Sequence, residues 1–446
     1  MTSEPLVNRI SDTPMHWLSL AVLSTGMLGL GMVPAYGYLA VLMILVAGAY
    51  FVRLETVKRN WLFLLLFNQY FVVAIGLNFF HDEDWATNPN NPFYVIMMVS
   101  SVPLVALYTA ARAQQRRVFC PLSLGLILSV GLLVWQFLGP SCRVAGYTFN
   151  PLGTAALLLL VGFLQLSLGY QLGGVCKILS WVLLGLVIYA ILGPAGSRMP
   201  FFAGMIGVLL FSIYGLRVEG LKTSGLFLLT TLSVFALSMA VSLNFKDCGL
   251  KGRLNENLET VRLIFQSGDQ VVIDDVKDVL PLQLPEAVSV AVISPVAESV
   301  AGLVEDEIVQ EVAPTPLDQV NAMGMPSSEG QRFVLWLTAL EQWKHQKLMG
   351  YGNSNEKSVL GLSGTGQPHA HSQMLSWLVS GGVLLLISGL VFVSSSIVRS
   401  ENIILALLSL LPIAVSQLTD SLLNLHPMIV SISVALPSAL MLRRSR

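Results

Sequence analysis

The sequence predicts an all-α polytopic membrane protein with about twelve transmembrane helices. Of its 446 residues, 54% are hydrophobic and only 11% are charged, and the mean hydropathy is +0.70. In a soluble domain about a quarter of the residues are charged, so the composition excludes that class. Apolar runs of about twenty residues, the length that spans a bilayer as a helix, recur along the chain. The predicted spans are approximately 16–33, 35–52, 60–80, 92–111, 119–138, 152–169, 174–192, 200–216, 224–244, 373–394, 402–418 and 423–442.

The basic residues predict the orientation of these spans. Fourteen of the 25 Lys and Arg residues fall in segments on one side of the membrane, whereas the short loops on the other side hold two, Arg143 and Arg198. Cytoplasmic segments of membrane proteins carry the excess of Lys and Arg. Both termini are therefore expected in the cytoplasm.

The chain divides into three predicted regions. Residues 1–244 form an N-terminal transmembrane bundle of about nine helices, 245–372 a long outer loop, and 373–446 about three C-terminal transmembrane helices. Within the loop, 273–319 is rich in Val, Glu, Asp and Pro without a helical period, so we expect it to be mobile. Hydrophobic residues at helical spacing over 328–350 predict an amphipathic surface helix. The alternative is a simple interfacial helix that contacts membrane lipids.

Arg198 is the first candidate functional residue, because it occupies a doubly unfavourable place. It lies on the outer side, at the start of a predicted helix in Gly196-Ser197-Arg198-Met199-Pro200. A cation there opposes both the helix dipole and the excess of basic residues inside. A bound anion would compensate, since free backbone N–H groups at a helix start bind anions and a guanidinium binds phosphate through two hydrogen bonds. The alternative is an Arg paired with an acid such as Asp420.

Four further residues on the outer side belong to the candidate site. Arg332 lies near the start of the predicted amphipathic helix, where a solvated or lipid-contacting Arg is the alternative. His371 opens the next span, and Ser372 is expected to cap that helix through its side-chain oxygen. A histidine at a helix start is expected to be neutral and thus able to accept a proton. His369, two residues earlier, competes for that role.

Other polar residues carry weaker predictions. Asp420 falls near the outer end of the last two spans, where it could support His371 or be an ordinary loop residue. Cys142 and Cys248 both fall in outer segments, where a disulfide between them is possible. The cysteines show no metal-site spacing, and the sequence predicts no metal, no cofactor and no nucleic-acid partner. The glycines of 350–366 would permit close approach of the backbone to a ligand.

Taken together, these residues resemble the superfamily of O-antigen ligases and O-antigen polymerases. The resemblance covers about 193–395 and rests on Gly196-Ser197-Arg198, on Gln331-Arg332-Phe333 followed by Gly350-Tyr351-Gly352, and on His371-Ser372 with Leu375 and Gly382. Two positions depart from the ligase pattern, since Phe202 and Leu385 stand where the family often has other residues.

The resemblance implies a membrane glycosyltransferase of the C-type fold in the bacterial inner membrane, with its active site on the periplasmic face. Such an enzyme transfers a glycan from an undecaprenyl diphosphate donor to an acceptor hydroxyl and is expected to be metal-independent and inverting. Arg198 and Arg332 would bind the diphosphate, and His371 would be the base. The ligase interpretation takes lipid A–core as acceptor. The alternatives are a polymerase of O-antigen or exopolysaccharide, a protein O-oligosaccharyltransferase, and a transporter of lipid-linked sugars.

Overall fold

The fold was analysed in a computed structural model, which describes residues 42, 45–81, 90–139, 151–245, 327–417 (except 354, 366 and 368), 433 and 436–443. Every regular element in these residues is helical. The helices are α1 (Leu54–Arg59), α2 (Trp61–Phe80), α3 (Asn90–Ala113), α4 (Gln115–Leu138), α5 (Pro151–Leu172), α6 (Gly174–Leu192), α7 (Arg198–Glu219), α8 (Leu221–Phe245), α9 (Ser327–His345), α10 (Glu356–Gly361), α11 (Gln373–Arg399) and α12 (Ile403–Gln417), with a short 3-10 helix at Leu436–Met441.

The all-helical, multi-pass membrane class is confirmed. Eight of these helices, α2 to α8 and α11, are long and apolar enough to cross a membrane. They match the third to tenth spans predicted from the sequence. The eleventh predicted span corresponds to α12, which is apolar but only 15 residues long. Of the other three predicted spans, 16–33 lies wholly outside the described residues, and 35–52 and 423–442 are described only in part.

Helix α5 lies at the centre of the bundle and explains its packing. In the apolar segment of α5, 83% of the residues are buried, whereas in that of α8 only 22% of them are. Neighbours α4, α6 and α12 pack around α5, and α8 packs on the outside against α6 and α7. Since α8 exposes leucines such as Leu229 and Leu237, its outer face is suited to lipid. A second contact joins α2 to α11 through packed aromatic rings that include Phe67, Tyr70 and Phe392.

Basic side chains converge at one end of the bundle, which we call the basic end. Glu401, before α12, pairs with Arg112 of α3 at 2.7 Å and with Arg59 of α1 at 3.6 Å. The guanidinium of Arg399 donates to the Arg59 carbonyl at 2.6 Å, and that of Arg443 donates to the Arg112 carbonyl at 2.7 Å. All four arginines belong to segments that the sequence analysis assigned to the same side of the membrane.

A polar cluster marks the opposite end of α2, which we call the histidine end. His81, which follows α2, hydrogen-bonds the Met349 carbonyl at 3.0 Å. The Asn78 side chain donates to Asn91 of α3 at 2.6 Å and accepts from Asn353 at 3.2 Å. These bonds attach the segment that follows α9 to the bundle, on the side away from the arginines of the basic end.

Helix α11 is broken at Gly382, and the segment Lys347–Gly352 completes its hydrogen bonds. Gly382 has φ +60°, which interrupts the helical pattern. The carbonyls of Val379 and Ser380 instead accept from the N–H groups of Tyr351 and Gly352, both at 2.8 Å, and the Val383 N–H donates to the Lys347 carbonyl at 2.9 Å. Because unpaired backbone groups are costly where water is excluded, the break depends on this exchange.

The two glycines at the exchange have no room for a side chain. A Cβ at Gly350 would lie 2.5 Å from the Val379 carbonyl oxygen, and one at Gly382 would lie 2.4 Å from that of Leu348. The glycines of 350–352 therefore allow close approach of two backbones. At Gly350 the backbone of α11 occupies the space next to the glycine, where the sequence had led us to expect a ligand.

Replacing Gly382 by Ala should strongly destabilise the protein. A left-handed residue costs about 1–3 kcal/mol in a non-glycine, and the contact with the backbone at Leu348 would force the two segments apart. We expect a clear fall in the thermal unfolding midpoint of the detergent-solubilised protein. The control is Gly225→Ala in α8, where a Cβ meets no atom within 4 Å. Equal midpoints for the two variants would contradict the role of the exchange.

Candidate functional site

The two candidate histidines lie on one short loop at the histidine end, between α10 and α11. The rings of His369 and His371 are 5.0 Å apart, and both side chains are half-buried. Nε2 of His371 lies 3.3 Å from Oε1 of Gln367. When an amide oxygen accepts from Nε2–H, the lone pair resides on Nδ1. This arrangement suits a histidine that accepts a proton from a substrate.

His371 has a backbone conformation that is unusual for its residue type. Its φ is +51°, and it is the one non-glycine residue with positive φ in the described part of the chain. The left-handed region costs an L-residue roughly 1–2 kcal/mol, so neighbouring contacts must stabilise it. Ser372 takes the N-cap position of α11, as predicted, but its side chain makes no capping hydrogen bond. Its carbonyl accepts from the Ser376 N–H at 2.9 Å instead.

Helix α9, which carries Arg332, is fastened to the same loop. The indole N–H of Trp336 donates to the Ala370 carbonyl at 3.0 Å, between the two histidines. Leu335 and Ala339 of α9 belong to a small buried core that also contains Ala370 and Val379. The predicted amphipathic helix over 328–350 is thus present over Ser327–His345. It packs against α10 and α11.

Arg332 therefore lies one helical turn before Trp336, whose side chain hydrogen-bonds to the loop that carries His369 and His371. Residues four apart share a helix face, so Arg332 and Trp336 project on the same side of α9. The Arg332 side chain is half-buried. Within the described part of the chain, no hydrogen bond or ion pair joins Arg332 to another residue. A partly buried guanidinium with this surrounding is suited to an anionic ligand.

Arg198 lies at the histidine end on a different helix. It begins α7, and Glu219 at the other end of α7 pairs with Lys177 beside Tyr170. That region joins the basic end, because Gln171 donates to the Arg443 carbonyl at 2.7 Å. Since 22 helical residues extend about 33 Å, Arg198 is at the opposite end of the bundle. The structure attaches Arg332's helix to the loop that holds His371 through Trp336 and Ala370, and Arg198 lies at the same end.

The segment before Arg198 is held by the last turn of α6. The N–H groups of Gly193, Ala195 and Ser197 donate to the carbonyls of Tyr189, Ala190 and Ile191, at 2.8, 2.9 and 2.9 Å. Gly196 has φ +59°, which favours glycine. The Gly196-Ser197-Arg198 run thus ends α6 and starts α7, which explains why it has a glycine at this point.

The pKa of His369 is lowered to about 4 by burial and by the neighbouring His371. His369 is therefore uncharged at neutral pH and adds no positive charge to the loop.

One further residue, which the sequence analysis did not single out, is Glu356 of α10, buried next to Ala370. Glutamate in a segment rich in Asn, Ser and Gly gives no sequence signal of burial. Asp420, Cys142 and Cys248 lie outside the described residues.

One comparison with known proteins matches the region that contains these residues. Residues 182–390 match the family model described as O-antigen ligase. That match spans a little under half of the chain and includes Arg198, Arg332 and His371. The resemblance to the O-antigen ligase superfamily is therefore confirmed over these residues. No curated protein matches the chain.

Replacing His369 by Gln should make the protein less sensitive to acid. The ordinary pKa of histidine is 6.5, and burial lowers that of His369 to about 4. As the pH falls, the His369 side chain is therefore protonated at a higher pH in the unfolded chain than in the folded protein. The folded state therefore loses stability as the pH falls from about 6.5 towards 4. We expect a smaller drop in thermal midpoint between pH 7 and pH 5 for His369→Gln than for the unaltered protein. The exposed His345→Gln variant is the control, and an unchanged drop in His369→Gln would refute the assignment.

Proposed function

We propose that the protein transfers a glycan from an undecaprenyl diphosphate donor to an acceptor hydroxyl at the periplasmic face of the bacterial inner membrane. Ligation of O-antigen to lipid A–core is the first candidate. The observation that carries the proposal is the attachment of Arg332's helix to the histidine loop through Trp336 and Ala370, inside the region that matches the ligase family. It brings Arg332, which would bind an anion, and His371, which would accept a proton, to one end of the bundle.

The arginines would act on the leaving group. A lipid diphosphate presents an anion at the bilayer surface, with its polyprenyl tail between helices. Arg198 and Arg332 would bind its phosphate oxygens and stabilise the charge that grows as the bond between the anomeric carbon and the phosphate oxygen breaks. Stabilisation of such developing charge is often the largest contribution to catalysis.

His371 would act on the acceptor. Its imidazole would take the proton from the acceptor hydroxyl while that oxygen forms a bond to the anomeric carbon. The electron pair of the broken bond leaves with undecaprenyl diphosphate. A single displacement of this kind inverts the configuration at the anomeric carbon, and the proposal requires no resident metal. General-base help of this type contributes about 10²–10⁴-fold to the rate.

A transporter of lipid-linked sugars is less well supported. Transporters place polar or charged sites near the middle of the membrane, often in broken helices. In the described spans, Asp, Glu, Lys and Arg occur only within about one turn of a helix end. The break in α11 lies within a helix, but its backbone groups bond to Lys347–Gly352 rather than line a cavity.

The direct test supplies purified protein in liposomes with a synthetic undecaprenyl diphosphate glycan and no ion gradient. The acceptors are lipid A–core, a second lipid-linked glycan and a serine-containing peptide, each in a separate reaction. We expect a product on lipid A–core, detected by mass spectrometry. Extension of the second lipid-linked glycan would identify a polymerase, and extension of the peptide a protein oligosaccharyltransferase. If folded protein forms no product with any acceptor, the proposed function is wrong.

Substitutions at the site should separate its roles. Arg198→Ala and Arg332→Ala should each lower kcat by about 10²–10³-fold, as the loss of a charge-stabilising donor does. His371→Ala should be inactive and His369→Ala partly active. Arg116→Ala, an exposed Arg near the start of α4, is the control for charge removal. Full activity of Arg198→Ala, or a greater loss in His369→Ala than in His371→Ala, would contradict these assignments.

A further inference from the structure

The first half of α11, residues 373–381, is folded back towards the second half, residues 383–399. The indole ring of Trp377 lies directly on Gly389 and leaves no room there for a Cβ. These two residues are twelve positions apart, which is about 18 Å along a continuous helix. An indole side chain cannot span that distance. The break at Gly382 therefore turns the two halves towards each other.

Trp377 also attaches the first half of α11 to α2. Its indole N–H donates to the hydroxyl of Tyr70, near the middle of α2, at 3.2 Å, and the two rings are 5.9 Å apart. Only 4% of Trp377 and 2% of Tyr70 are exposed. Because a buried donor without a partner is costly, this bond favours one place and one orientation for the indole ring.

The first half of α11 is thus held on two opposite faces. Trp377 belongs to the main buried core, which also contains Tyr70. Val379 follows two residues later, about 200° around the helix, and therefore points the other way. It packs in the small core that contains Ala370 of the histidine loop. Trp377 is therefore the contact that ties this half, and the loop packed on it, to the transmembrane bundle.

We propose that Trp377 is a positioning residue that sets the place of His371 by keeping the first half of α11 folded back. His371 lies just before this half, separated from it by the N-cap residue Ser372. The Ser372 carbonyl accepts from the Ser376 N–H at 2.9 Å, so the end of the loop is continuous with the helix. A shift of the helix would move the imidazole with it. The inference rests on the proposed function only in taking His371 as the base.

Three substitutions isolate the contacts of the indole ring. Tyr70→Phe removes the accepting hydroxyl and keeps both rings. Gly389→Ala keeps every hydrogen-bonding group but puts a Cβ where the six-membered ring of the indole lies. Trp377→Phe removes both the N–H and the outer ring atoms. The matched controls are Tyr214→Phe, in α7 towards the basic end, and Gly76→Ala of α2, where a Cβ meets no atom within 4 Å.

Amide hydrogen exchange, followed by mass spectrometry, would report on the folded-back half. In peptides covering 367–381, Tyr70→Phe and Gly389→Ala should exchange about tenfold faster than the unaltered protein, as expected when one buried donor loses its partner. Peptides of α8, on the outside of the bundle, should be unchanged, and so should both controls throughout. Unchanged exchange over 367–381 would refute the hold. Equally faster exchange along the whole chain would mean a general loss of stability and would refute the positioning role.

The kinetic effect should fall on kcat. We expect kcat to drop about 10- to 100-fold in Tyr70→Phe and Gly389→Ala, because small displacements of a catalytic group have effects of this size. KM for the lipid-linked donor should stay within about twofold. Faster exchange over 367–381 with unchanged kcat would show that Trp377 only stabilises the fold, and would overturn the proposal.

Double variants test whether both effects pass through the indole ring. Phenylalanine is shorter than tryptophan and has no N–H, so it leaves space beside residue 389 and does not need the Tyr70 hydroxyl. In the Trp377→Phe background, Gly389→Ala and Tyr70→Phe should therefore lower kcat little further, although each lowers it alone. Fully additive losses would mean that Gly389 and Tyr70 act independently of Trp377, which contradicts the proposal.

The two proposals can fail separately. If the unaltered protein transfers no glycan, the proposed function is wrong, while the exchange data still decide whether Trp377 holds the first half of α11. If Trp377→Phe or Gly389→Ala does not fold, Tyr70→Phe decides, because it removes one oxygen atom and keeps every ring. Normal exchange and normal kcat in that variant would overturn the proposal.

Discussion

The exchange of backbone hydrogen bonds between Lys347–Gly352 and the break in α11 determines the geometry of the histidine end. A helix that opens in a membrane protein leaves carbonyl and N–H groups that require new partners. Tyr351 and Gly352 supply the donors, and Lys347 supplies an acceptor. The chain that leaves α9 is thereby fixed to the helix that follows His371. Arg332 and His371 are distant in sequence, and this joint brings their elements together.

A second layer of contacts then orients the loop itself. The indole N–H of Trp336 donates to the carbonyl of Ala370, and Ala370 packs in a small apolar core with Leu335, Ala339 and Val379. Side chains held by packing and by outer hydrogen bonds keep a reactive group in place better than a loop alone. His371 has a strained, left-handed backbone conformation. Strained residues persist where several surrounding contacts fix the backbone.

Much of the helical organisation could be predicted from sequence, because apolar length and charge bias are local signals. Eight spans, the surface helix α9 and the grouping of Arg59, Arg112, Arg399 and Arg443 on one side agree with the structure. Gly350 and Gly382 could not be interpreted in this way. Their partners are distant in sequence, and a glycine near a backbone gives the same signal as a glycine near a ligand. Glu356 was missed for a related reason, since tertiary packing buries it.

The charges of the described residues differ between the two ends of the bundle. Burial lowers the pKa of His369 to about 4, so this histidine is uncharged at neutral pH, and burial raises the pKa of Glu356 to about 7. At the basic end, by contrast, Arg59 and Arg112 share Glu401. Among the described residues, no acidic side chain pairs with Arg332. This difference between the two ends supports the proposal that Arg332, rather than an arginine of the basic end, would bind the phosphate.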